Sequence, residues 1–285
     1  MAGRFLKGRL LDTRFLLTLL GLSLAAPLSL AAEAEAASDP LAPYSSKITL
    51  TPDPKASEII RLADRIRAPK KQFRYTLDLI EMDGETVVAQ QRLAIAMRIS
   101  KPTADRQGDA KALVRFLEPK KDQGKALLSN LDKRWFYDPR LKRPIPIARQ
   151  QRLIGQVSNG DIVAADFDLS YASAILGKEP CGNVECYKIA LERRWQFVTY
   201  PKINYWVEVD SKNPFKTEFL STNGLVLKTA FYKDYKPALG RVRPHEIVVV
   251  DELHKNHFTR MLYTDARFDD TPDVYFQREY LERLR

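Results

Sequence analysis

The stretch RLIGQVSNGDIVAADFDLSY, residues 152–171, holds two glycines, Gly155 and Gly160, and three aspartates, Asp161, Asp166 and Asp168. Three uses of such a set are open: a phosphate loop, a carboxylate active site, or a turn-rich piece of scaffold. A phosphate loop needs Lys and then Ser or Thr directly after its second glycine. Here Asp161 and Ile162 follow, and a carboxylate in that place repels the anion that the loop would cradle. Carboxylates placed together can do acid–base work. A plainer reading fits the same residues: Asn159-Gly160 makes a turn, Asp161 suits a helix N-cap, and Asp166 or Asp168 suits the cap of a second short helix.

The other reactive types are sparse. His254 and His257, in DELHKNHF, are spaced for one helix face, but the segment reads as a turn between strands and no third metal ligand accompanies them. His245 stands apart. Cys181 and Cys186, in CGNVEC, do not have the C-x-x-C redox spacing, and no histidine lies close in sequence. In an oxidising compartment a short loop brings them within bridging distance, so a disulfide pinning a local turn is expected. No Ser/His/Asp arrangement carries a recognisable nucleophile elbow. The sequence therefore points to no enzyme, no metal and no cofactor.

The first residues, MAGRFLKGRLLDTRFLLTLLGLSLAAPLSLAAEAEAA, have the form of a secretory leader: Arg4, Lys7, Arg9 and Arg14, then an apolar run from Phe15 to Leu30, then small residues. The run is short for a membrane span and is broken by Pro27. We expect a cleaved signal peptide over 1–36, an Ala/Pro/Ser-rich linker over 37–55, and one domain over 56–285. Export makes the compartment periplasmic. The net charge is +10, and the chain stays basic beyond the leader, which suits anionic partners such as a membrane surface. Nucleic acid is excluded by export and by the lack of any recognition motif.

Those few reactive groups need elements to position them. DPKASEIIRLADRIRAPK places Ile59, Ile60, Ala63 and Ile66 at helical spacing, with Asp53 or Ser57 as cap and Pro69 as stop. From FRYTLDLI onward the period is two. MDGE and Asn223-Gly224 mark hairpins, and RLAIAMRIS, KALVRFLEP, KALLSN, RWFYDP, ECYKIALERR, YPKINYWVEVD, FKTEFL, LVLKTAFYKDY, EIVVVDEL and FTRMLYTDARF read as antiparallel strands. Residues from roughly 160 to 176 look helical or loop-like, and the tail VYFQREYLERLR is helical. The fold class is α+β, mostly antiparallel, with about ten or eleven strands. A sheet of that size curls, and its concave face is the natural seat for the short helices. PKKDQGK (119–125) and DPRLKRP (138–144) are basic turns.

The series FLEPKKDQGKALLSNLDKRWFYDPRLKRPIPI, RLIGQVSNGDIVAADF, CYKIALERR, YWVEVD, TNGLVLKTAFYKDY and DVYFQREYLERL comes in a telling order. From about residue 70 to the C-terminus the chain resembles the outer-membrane lipoprotein-sorting-like family, relatives of the periplasmic lipoprotein carrier LolA. The resemblance implies an unclosed half β-barrel covered by short helices around an apolar cavity. It also implies no enzymatic activity, and a role as carrier or chaperone of acyl chains of lipids or lipoproteins beside an inner-membrane transporter of the RND or ABC type. A protein-binding adaptor of such a complex, without lipid cargo, is the alternative. Strand alternation nominates as cavity wall Leu77, Leu79, Ile95, Met97, Val114, Phe116, Trp135, Tyr205, Val207, Phe219, Leu227 and Phe231; the resemblance implies that the stretch around Phe167 and Leu169 is a lid segment, with these two as its contacts. An error of one residue in register would reverse a strand's facing. The arginine that latches the lid in the carrier has no match by position; Arg98 and Arg115 lie on strands.

Overall fold

Alternation over FRYTLDLIEMD makes β1 (Phe73–Asp83): Phe73, Tyr75, Leu77 and Leu79 are buried, while the residues between them are more open. A turn at Gly84, with φ +56°, leads into β2 (Thr86–Ile99). The meander continues through β3 (Ala110–Glu118), β4 (Ala126–Asn130), β5 (Lys133–Tyr137) and the two-residue β6 (Ile145–Pro146). A second meander runs through β9 (Tyr171–Cys181), β10 (Val184–Arg193), β11 (Lys202–Glu208), β12 (Pro214–Leu220), β13 (Val226–Ala238), β14 (Arg241–Asp251) and β15 (His257–Phe268). Between them, β7 (Arg152–Ile154) and β8 (Val157–Ser158) form a separate ribbon. The computed structural model describes residues 45–99, 110–130, 133–148, 151–158, 160–161, 166–196, 198–254 and 256–284. The leader, the first part of the linker, Ile162 and Ala165 lie outside them.

The two meanders join where β1 pairs antiparallel with β15, Leu79 opposite Met261 and Phe73 opposite Phe268. The result is one sheet of order β6-β5-β4-β3-β2-β1-β15-β14-β13-β12-β11-β10-β9. Its two edge strands do not meet, so it is an unclosed half-barrel. Three expectations need correction. The sheet has thirteen strands, not ten or eleven. Residues 171–176 belong to β9, and the helix before them, α2, spans only Phe167–Ser170. Tyr171, Ala172 and Ser173 are all buried, so the start of β9 lacks the alternation that marks a strand. The tail helix α3 (Arg278–Leu281) does not sit on the concave face. With Phe276 it covers the outer face of β3–β5, where Leu113, Ala126, Leu128 and Tyr137 form a second core.

Helix α1 (Pro54–Arg67) begins as its sequence dictates. Asp53 caps it by accepting from the Lys55 N–H at 2.8 Å, and Pro54 fills the first helical position. Ala56, Ile59, Ile60 and Ala63 form one stripe and bury against the inner face of the sheet. Part of the expected linker is also fixed. The Ser46 N–H donates to Arg194 O at 2.8 Å, and the N–H groups of Thr49 and Leu50 donate to the Glu192 carboxylate at 2.7 and 2.8 Å. Among the described residues no helix is long and apolar enough to cross a membrane.

Cys181 and Cys186 form a disulfide across the β9–β10 hairpin, packed with Trp206 and Phe215 on the face away from the main core. The loop they close is short, and chain entropy assigns such a loop about 2 kcal/mol. The double variant Cys181→Ser/Cys186→Ser should lose about that much in denaturant unfolding. A loss of ligand uptake in the folded variant would contradict this purely local role.

Candidate functional site

An opening of about 130 Å³ lies between the sheet and the C-terminal end of α1. The space is several times what a single buried water needs, so it can take a ligand larger than solvent. Met97, Phe219, Ala230, Val249 and Met261 line it from the sheet, and Arg67, Ala68, Pro69 and Phe167 from the cover. The β13–β14 hairpin closes one side with Ala238, Leu239, Arg243, Pro244, His245 and Ile247, and Phe73, Ala266 and the carboxylate-bearing Asp161 add to the wall. The lining is mainly apolar with a few polar groups, which is the composition of a ligand pocket rather than of a packed core. Tyr75, Tyr232 and Tyr263 also border it, and the Tyr232 hydroxyl pairs with Thr217 Oγ1 at 3.0 Å. Burial pushes the Tyr75 and Tyr263 phenols up, so both stay neutral.

The cover is held by two arginines. Arg67, at the end of α1, donates to Asp64 Oδ1 at 2.7 Å and lies over the Phe167 ring at 3.7 Å. Asp64 in turn accepts the N–H groups of Phe167 and Asp168 at 2.8 and 2.9 Å, which ties α2 to α1. Burial pushes the Asp64 carboxyl up to about 7, against the pull of Arg67. Asp166 caps α2 through the Leu169 N–H at 3.1 Å and pairs with Lys70; Asp168 lies 3.4 Å from Arg61. Phe167 packs edge-on against Tyr171 and Tyr205.

Arg243 reaches from β14 to the same helix end. Its Nη1 donates to Arg65 O and Ile66 O, both at 2.8 Å, and its Nε donates to Ala238 O at 3.0 Å. Helix C-termini leave their last carbonyls without partners, and Arg243 satisfies two of them. Burial, and the charge of Arg241 nearby, bring its pKa down to about 10, so it stays cationic at neutral pH. Replacing it with alanine should free the end of α1. We expect amide exchange over residues 61–68 to speed at least about tenfold, while β11 and β12 keep their protection. Unchanged exchange would mean that the clamp is not what holds the cover.

The opening stretch proves to be an anchor. Asp161 accepts from the Ser158 N–H (2.7 Å), Ser158 Oγ (2.9 Å), the Tyr200 hydroxyl (2.8 Å) and Lys228 Nζ, all on or beside the ribbon and β13. Lys228 also donates to Gln156 O at 3.0 Å. Its glycines permit close approach. A Cβ on Gly155 (φ +50°) would stand 2.3 Å from Thr259 Oγ1, and one on Gly160 would stand 2.3 Å from Thr199 Oγ1. These residues dock the ribbon on the sheet, and the carboxylate is spent on four donors.

Of the residues nominated as cavity wall or lid, Met97, Phe167 and Phe219 line the opening. Leu77, Leu79, Ile95, Val114, Phe116, Tyr205 and Val207 are buried in the main core without reaching it. Trp135 packs on the second core, across from Leu128. Leu169 is half-buried on α2. Leu227 is 40% exposed, and Phe231 lies on the face of β13 opposite Ala230 and Tyr232. The alternation on β13 was legible but its phase was not, because Lys228 is buried where a charged residue signals the outside. Alternation also missed Arg67 and Arg243, whose spacing carries no signal, and the hairpin residues 238–245. Arg115 is exposed and Arg98 pairs with Asp273 at 2.8 Å, so neither touches the cover. His254 and His257 sit 3.5 Å from Asp251 and Asp83 at the β14–β15 turn; only His245 borders the cavity.

An unclosed antiparallel half-barrel with a helical cover clamped over an apolar opening defines the class of scaffold. The chain belongs to the LolA superfamily. It is 30% identical to a LolA superfamily protein from Nitrosomonas europaea; the match covers 79% of this chain and 98% of that one, with a TM-score of 0.70. A family model described as "Uncharacterized protein" matches residues 108–283. Two further structures share the fold. One is an outer membrane lipoprotein-sorting protein domain from Vibrio parahaemolyticus (19% identity, 80% of this chain and 99% of that one, TM-score 0.68). The other is a DUF1329 family protein from Desulfovibrio piger (16%, 81% and 100%, TM-score 0.69). No curated protein matches the sequence.

Proposed function

We propose that this protein carries acyl chains of lipids or lipoproteins in its cavity and performs no chemistry on them. The apolar opening beneath the clamped end of α1 is the observation that supports this reading. Each buried methylene contributes about 0.8 kcal/mol, so about ten would give roughly 8 kcal/mol before the cost of immobilising the ligand. Release then requires a cover that shifts, and Arg243 and the Asp64–Arg67 pair are the contacts that such a shift breaks. The leader-like composition of 1–36 supports a periplasmic carrier, and an inner-membrane transporter of the RND or ABC type is the partner we expect to load or unload it. The test is mass spectrometry of organic extracts from protein isolated from the periplasm without detergent. Acylated species in near-stoichiometric amount are expected. A clean extract, from protein that also fails to take up a fluorescent fatty acid, would remove the reading.

A further inference from the structure

The two basic turns, 119–125 and 138–144, are apart in sequence and adjacent in space. The first joins β3 to β4; the second leaves β5, the neighbour of β4. A Cβ on Gly124 would stand 3.3 Å from Pro139 Cγ, and Lys125 Nζ lies 4.0 Å from Asp138 Oδ2. The acidic residues of the pair are used internally. Lys125 binds Asp122 at 2.5 Å, and Arg140 binds Asp138 through its Nε and its backbone N–H, each at 3.0 Å. Lys120, Lys121, Lys142 and Arg143 are exposed and have no ion-pair partner among the described residues. Leu141 stands among these cations with 53% of its surface open, in a turn where Lys142 takes φ +56°.

We propose that this corner docks the protein onto an anionic lipid surface. The four uncancelled cations lie among the head groups, and Leu141 enters the interface below them. Charge alone would suit an acidic protein equally well. An apolar side chain at the apex of a cationic turn suits a surface that is anionic outside and apolar just beneath. The corner is remote from the cavity: Ala112 pairs with Met97, and β3 then runs on to Glu118, about 20 Å further along the strand. The proposal therefore does not rest on the acyl-carrier reading, and the two can fail separately.

The test is co-sedimentation of the exported full-length protein with phosphatidylcholine vesicles, with and without phosphatidylglycerol. Binding should require phosphatidylglycerol and weaken as salt is raised. Each cation contributes a factor of about five near such a surface, so K120S/K121S/K142S/R143S should bind at least about 100-fold more weakly. Leu141→Ser should weaken binding by about tenfold with the salt dependence intact. Both variants change exposed side chains only, and their thermal unfolding should match the parent within about 2 °C, which confirms folding. Equal binding to neutral vesicles, or full binding by the fourfold variant, overturns the proposal. Salt-sensitive binding that Leu141→Ser leaves unaltered, and that polyglutamate abolishes, overturns it in favour of an acidic protein partner.

Discussion

Filling the cavity from its floor should abolish acyl-chain uptake while leaving the sheet intact. Ala230 lies on β13, opposite Val249 and Thr217, and its methyl group faces the opening beside Tyr232. Ala230→Phe would set a ring in an opening of about 130 Å³. If half of about ten methylenes lose their place, some 4 kcal/mol is lost, and binding should fall at least about 100-fold. Overfilling a packed core usually costs 1–3 kcal/mol, but here empty space takes the ring, so stability should change by less than about 1 kcal/mol. Phe231→Ala supplies the control. It deletes a larger side chain from the other face of the same strand and should leave uptake unaltered. A folded Ala230→Phe protein that still takes up a fluorescent fatty acid would put the ligand elsewhere.

Arg67→Met should be the most damaging single change to stability. It removes the partner of a carboxyl that is 1% exposed, and above about pH 7, where Asp64 is ionised, breaking a buried pair from one side costs about 3–5 kcal/mol. For a domain of this size that is roughly 10 °C in Tm. The same pair makes stability depend on pH. Asp64 has its folded pKa raised from 3.8 to about 7, so between those values the native state holds a proton that the unfolded chain releases. Its favourable contribution is complete below about pH 4, declines as pH rises, and is gone above about pH 7. The span corresponds to at most about 4 kcal/mol. Thermal unfolding of the parent, compared with Asp64→Asn, should show the parent losing ground between pH 4 and 7 and running parallel above. Parallel curves throughout would mean that Asp64 is ionised at every pH tested.

Much of the architecture is legible in local pattern. The period-two runs gave the strands of both meanders, Gly84 and Asn223-Gly224 gave hairpins, and Asp53 with Pro69 bounded α1. The cavity was legible only in part. Facing depends on the phase of each strand, and phase is set by what packs on it. Lys228 is buried because Asp161 and Gln156 O lie within its reach, a fact stored some seventy residues away. The start of β9 is covered by α1 and α2, so its alternation vanishes. Arg67 and Arg243 look like surface charges until α1 is laid on the sheet and its terminal carbonyls need donors. The 152–168 segment was legible as scaffold, and its carboxylates hold a ribbon and a short helix in place.

The seam between β1 and β15 decides when the molecule is finished. Its two strands lie some 180 residues apart in sequence, so during synthesis the first meander exists long before its partner arrives. Until then β1 presents a row of bare N–H and C=O groups, and β14 does the same from the other side once it forms. Pairings between such distant segments are slow to form, and open strand edges recruit other chains. A product halted before His257 would carry both raw edges and an unwalled greasy trough, and should clump unless a holding factor shields it until the last strand is delivered.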